Sequence, residues 1–140
     1  MRTWACFVIA CGLWPASALA EPLQAGLYEI TVRVALPNLG DAIPATVQQR
    51  CLSESAIVDG SAFAVLSSNN PLQACPRSDN VATGDTVVFR IVCAGPNKAS
   101  ASATFETHND RFHGHFNMNM GGKNMTMSED QAGRWIGACP

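Results

Sequence analysis

Apolar and polar residues alternate with a period of two through nearly every segment after residue 25, and that rhythm fits strands with one buried face and little else. In Gly26 to Leu36 the apolar side is Tyr28, Ile30, Val32, Val34 and Leu36. The other side is Glu29, Thr31 and Arg33, with Leu27 as the exception. Pro37-Asn38-Leu39-Gly40-Asp41 breaks this strand, and Ala45 to Leu52 resumes the pattern with Val47 and Cys51 on one side and Gln48 and Arg50 on the other. Thr86 to Cys93 puts Val87, Phe89, Ile91 and Cys93 on one face. Ala99 to Thr107 alternates small residues with Ser and Thr, and the last strand is expected over Ala132 to Cys139. The best helix candidate is short, Ser53 to Gly60, with Ser53 placed to cap it and Gly60 to end it. Ser67 to Pro71 reads as a polar loop. No βαβ alternation occurs. The expected fold is all-β, an antiparallel meander of about seven or eight strands, curved or partly closed like a barrel, with one short helix and two disulfides.

The first 20 residues do not belong to that pattern. Arg2 precedes an apolar stretch, Thr3 to Leu13, which is shorter than the ~20 residues a membrane helix needs. Ala18-Leu19-Ala20 supplies small residues where a signal peptidase cuts, so residues 1–20 are expected to be a signal peptide and 21–140 a single domain, periplasmic after cleavage. A rival reading takes Val8-Ile9-Ala10-Cys11 as a lipobox that would lipidate Cys11. No later apolar run is long enough to span a membrane as a helix.

Cysteine usage agrees with export. Cys6 and Cys11 leave with the leader, and Cys51, Cys75, Cys93 and Cys139 remain, an even number that favours two disulfides. A three-residue loop at Thr83, Gly84 and Asp85 would set Cys75 opposite Cys93 on neighbouring strands, where Cβ atoms stand ~4.5–5.5 Å apart, close to what a bridge needs. Cys51 is then left to Cys139. The spacings contain no CxxC, which argues against a zinc or redox site.

The most distinctive stretch is His113-Gly114-His115-Phe116-Asn117-Met118-Asn119-Met120, followed by Gly121-Gly122-Lys123-Asn124 and Met125-Thr126-Met127. A turn over 121–124 sets Met118 opposite Met127 and Met120 opposite Met125, with Phe112 and Phe116 on the same side. The four thioethers are expected to line the inner face of a hairpin as core, since flexible Met fills irregular apolar space. The rival reading is a Cu(I) site, because soft thioethers suit that ion. His113 and His115 form a possible metal chelate, but parity puts them on the opposite face with Asn117 and Asn119. A turn at His108-Asn109 would set Glu106 opposite Arg111 and Phe105 opposite Phe112. Asn124-Met125-Thr126 matches a glycosylation sequon.

Catalytic motifs are missing: there is no GxSxG, HExxH or phosphate-cradling glycine loop, and nothing asks for a cofactor. The chain carries 9 Lys and Arg against 11 Asp and Glu, and loss of Arg2 with the leader leaves 8 against 11, a formal charge of −3. No basic cluster is present to neutralise phosphates, so nucleic acid is not an expected partner.

Taken together, several motifs resemble the bacterial domain of unknown function (DUF) 3617 family. Gly26-Leu27-Tyr28-Glu29 answers to its first strand and Gln49-Arg50-Cys51-Leu52 to its Cys-Leu strand end. Cys75, Ile91-Val92-Cys93, Met118-x-Met120 and Met125-x-Met127 follow in order. The closing Gly133-Arg134-Trp135-Ile136-Gly137-Ala138-Cys139 is the most specific match. The resemblance implies a bacterial envelope protein and carries no catalytic residue across. The expected function is non-catalytic binding of a small ligand or an envelope protein on a curved sheet. Periplasmic Cu(I) handling and an enzyme of unknown class are the alternatives.

Overall fold

The structure is a computed structural model that describes residues 21–39, 43–96, 98–122 and 125–140. Residues 1–20, the expected leader with Cys6 and Cys11, and the sequon residue Asn124 lie outside the described residues. The alternating segments form β1 (Gly26–Ala35), β2 (Thr46–Leu52), β3 (Arg77–Thr83), β4 (Thr86–Val92), β5 (Ser100–His108), β6 (Arg111–Asn119) and β7 (Thr126–Gly137). They make one seven-stranded antiparallel sheet in the order β2-β1-β7-β6-β5-β4-β3. The sheet is open: β2 and β3 are its two edges, so the partly closed barrel is not reached. The last strand begins at Thr126, six residues before the expected Ala132, because β7 must match the full length of both β1 and β6.

A strap, residues 53–76, leaves one edge strand and enters the other, and it crosses the sheet's inner face on the way. It opens with α1 (Glu54–Val58), whose N-cap Ser53 accepts a hydrogen bond from the Ala56 amide and which is followed by Gly60 at φ 79°, as its sequence leads one to expect. It closes with a 3-10 turn, Pro71–Ala74, which follows directly on the polar loop; Asn70 caps it by accepting from the Leu72 amide. Between them, Phe63 and Val65 are buried against the sheet. Every phenylalanine among the described residues joins one cluster: Phe63, Phe89, Phe105, Phe112 and Phe116 pack with ring centroids 4.7–6.0 Å apart. Tyr28 completes it at 5.8 Å from Phe112, and its hydroxyl donates to the Gln24 carbonyl at 2.7 Å. Burial, with the Asp110 carboxylate adding to it, pushes the Tyr28 phenol up to about 12.

Two hairpin registers differ from expectation, for identifiable reasons. The β5–β6 turn is Asn109-Asp110, so His108 opposes Arg111, Glu106 opposes His113 and Phe105 opposes Gly114 rather than Phe112. A Cβ on Gly114 would collide with the Phe105 ring, and one on Gly133 with the Phe112 ring. Each bulky ring thus lies over a glycine on the next strand, and the register with two opposed phenylalanines is avoided. The β3–β4 hairpin turns through two residues, Gly84 and Asp85, with Gly84 at φ 61°. A bulge between Ser78 and Val81, where Asp79 takes φ 54°, restores the offset that the expected three-residue loop would have supplied. Cys75 and Cys93 consequently still meet, with Cα atoms 4.9 Å apart, and Cys51 pairs with Cys139 at 5.4 Å.

Candidate functional site

The strap has no strand partner between α1 and the 3-10 turn, so its buried backbone groups need side chains to bond. The surrounding residues provide them in sequence. Arg77 donates to the carbonyls of Gly60 and Phe63, the latter at 3.0 Å, while its guanidinium lies 3.6 Å above the Phe89 ring. Gln131 donates to the Ala64 carbonyl at 2.8 Å, Gln73 to those of Val65 and Ser67, and Gln48 to that of Leu66. Glu129 is fully buried and takes the Leu66 and Ser67 amides on its two carboxylate oxygens at 2.8 and 3.0 Å; Gln131 adds a third donor. Among the described residues no buried side-chain nitrogen or oxygen lacks a partner.

This fixed strap forms one wall of a cleft of about 410 Å³ at the end of the inner face. Ser67, Ser68, Asn69 and Asn70 make that wall; Val32, Val34, Leu36, Ile43 and Pro44 make the apolar side; Met120, Met125 and Met127 line it from the hairpin. Among the described residues no charged side chain lines the cleft, and Asn69 holds φ 56° where the strap turns past it.

The methionine register is as the sequence predicts. Met118 opposes Met127, and the Met120 amide donates to the Met125 carbonyl at 2.8 Å. Their roles divide, however. Met118 is 3% exposed and its sulfur accepts from the Asn70 side-chain amide at 3.3 Å, so it is core. Met120 and Met127 are half-buried at the core's margin, and Met125, at 60% exposed, is not core at all. The expectation that all four serve as core is corrected: the hairpin runs past the end of the strap, and its last inward residues face the cleft.

His113 and His115 point to the outer face with Asn117 and Asn119, away from the methionines. His115 is engaged there: Nδ1 lies 2.6 Å from an Asp130 carboxylate oxygen and Nε2 lies 3.2 Å from the Asn117 side-chain oxygen. The Asp130 hydrogen bond raises the His115 pKa above its ordinary value, against a smaller opposing effect of burial. Among the described residues no three His, Cys, Asp or Glu side chains stand together as a metal site. A shallow groove of about 400 Å³ runs over this face between Arg33, Glu106, His113 and Asp130.

Sequence reasoning missed Glu129, Gln131, Arg77 and Asn70. A signal for the first two exists: with Met127 facing in, parity puts Glu129 and Gln131 at inward positions, where polar residues must be answered by something buried. Starting the strand at Ala132 concealed it.

No curated protein and no solved structure matches the chain. The model of a family described as a protein of unknown function, DUF3617, matches residues 23–139, from three residues before β1 through the last cysteine. The chain belongs to the DUF3617 family.

Proposed function

We propose that the protein is an exported, non-catalytic binding domain whose ligand occupies the cleft between the methionine hairpin and the strap. The observation that carries this is the cleft's lining: a preformed concavity of about 410 Å³ with apolar walls, a few hydroxyl and amide groups along one side, and no charged side chain among the described residues. Ligand sites characteristically combine such apolar walls with a few convergent polar groups. The lining selects for uncharged ligands or for soft ions that thioethers can coordinate, since a hard ion would be desolvated there with neither a counter-charge nor a strong donor among the described residues. Export is supported by Arg2, the apolar Thr3 to Leu13, the Ala18-Leu19-Ala20 site and two cysteine pairs that need an oxidising compartment. The bacterial periplasm fits all of these.

Titration with N-phenyl-1-naphthylamine, a neutral fluorophore that brightens in apolar surroundings, tests the cleft. Saturable binding is expected in the wild type and at least tenfold weaker binding in Val34→Asp, which puts a carboxylate in the wall. Equal binding by the two proteins would refute the site. Intact mass of the exported protein tests processing: a chain starting at Glu21 is expected, and retention of earlier residues or a lipid on Cys11 would overturn the reading.

A further inference from the structure

From the thioethers that line the cleft we infer that its ligand is a soft monovalent metal ion, Cu(I), held by Met120, Met125 and Met127; this rests on the reading of the cleft as the binding site. Three observations converge. The Met120 amide to Met125 carbonyl bond sets these two residues directly across the hairpin from one another, and Met127 lies two residues along the same inward face. Directly opposed residues have Cβ atoms ~4.5–5.5 Å apart and diagonal ones ~7–8 Å or less, within reach of side chains with three rotatable bonds. Second, all three line a single cleft and none is sealed in the core, whereas the fourth methionine of the hairpin is buried and its sulfur is already occupied by Asn70. Third, the described residues that line the cleft offer no carboxylate, imidazole or thiol. A hard or borderline divalent ion would find only neutral hydroxyl and amide oxygens there, while thioethers are the donors that select Cu(I).

The inference separates the methionines by role. Met118 holds the hairpin against the strap through Asn70, and the other three are the ligands. His113 and His115, on the other side of the sheet, take no part.

Anaerobic titration of Cu(I) against a chromophoric chelator, bathocuproine disulfonate, is the test, on wild type, Met125→Leu, the triple Met120→Leu/Met127→Leu/Met125→Leu variant and His113→Ala/His115→Ala. The wild type and the histidine variant should each withdraw one equivalent of Cu(I). Met125→Leu should bind at least tenfold more weakly with an unchanged melting temperature, because that side chain is exposed. The triple variant should leave copper on the chelator while still binding N-phenyl-1-naphthylamine, which shows that its cleft has formed. Copper remaining on the chelator with wild type, or withdrawn equally by the triple variant, overturns the metal assignment. If the wild type then still binds the fluorophore, the cleft reading stands without the metal; if it binds neither, both fall.

Discussion

Glu129 and Asp130 are neighbours in β7, and they face opposite sides of the sheet. Glu129 is sealed beneath the strap, with its oxygens taken by two backbone amides and the Gln131 side chain. Asp130 stands in the open, paired with His115, and more than half of its side chain is exposed. The same chemical group therefore does two different things one residue apart. On the inner face it closes hydrogen bonds that water cannot reach, where an unmet donor is expensive. On the outer face it competes with solvent, and an exposed ion pair contributes little. The two cysteine pairs repeat the contrast, since Cys75–Cys93 packs at the core's margin and Cys51–Cys139 is exposed.

The sharpest way to break this comparison is to remove the buried carboxylate. Glu129→Ala leaves the Leu66 and Ser67 amides without an acceptor, while Gln131 keeps the Ala64 carbonyl; at ~1–3 kcal/mol for each buried unsatisfied group the expected loss is about 2–6 kcal/mol. Glu129→Gln keeps one acceptor oxygen and should lose less. Urea denaturation measures both, and a loss below about 1 kcal/mol for the alanine variant would show that the strap is held by its apolar residues alone.

The disulfides come next, and here exposure and effect should part company. Cys51–Cys139 spans 88 residues and Cys75–Cys93 spans 18. Loop-closure entropy alone gives about 4–5 kcal/mol for the longer and about 3 kcal/mol for the shorter. Paired Cys→Ala variants should thus rank the exposed bridge above the half-buried one, and the reverse order would mean that local packing outweighs chain entropy.

A smaller effect is expected at Gly114, whose added Cβ would meet the Phe105 ring. Gly114→Ala should cost about 1–3 kcal/mol as an overpacked core does, while a glycine-free outward position such as Thr104→Ala should change stability by under ~0.5 kcal/mol.

The smallest effect belongs to the outer pair. His115 has a raised pKa in the folded protein, so its contribution is complete below the unfolded value near 6.5 and is lost as pH rises through the folded value. Stability should fall slightly across that interval, by well under ~1 kcal/mol given the exposure of both partners. In Asp130→Asn the His115 titration followed by NMR should move back down, and the slope should vanish. An unmoved pKa would mean that Asn117, not Asp130, governs the imidazole.

How far the fold could be read from the residues follows the same division between faces. Period-two patterning specifies which side of a strand is buried whatever it pairs with, so the inward rows of β1, β4 and β6 and the methionine register were legible from the sequence. Cys75 opposite Cys93 was legible as well, although the two-residue turn at Gly84-Asp85 and the bulge at Asp79 reach it by another route. Hairpin offsets of two residues preserve parity, and alternation alone cannot separate them. The choice between Phe105 opposite Phe112 and Phe105 opposite Gly114 fell to ring packing against neighbouring backbone.

The sequence by itself determined most strands and their buried faces, the capped helix and the cysteine framework, because each depends on spacing within one segment or one hairpin; β2 is the exception, since its expected apolar side, Val47 and Cys51, is exposed and Gln48 faces the strap. The tertiary structure decided where the strap crosses, and with it the rest. Glu129, Gln131, Arg77 and Gln48 are polar residues whose inward placement makes sense only when an unpaired backbone lies over them. Met125 differs from Met118 only because the strap covers one and stops short of the other. A buried hydrogen bond between residues more than sixty apart, as between Glu129 and Leu66, has no local signature, so the cleft that depends on it appears only once the chain has closed over its own sheet.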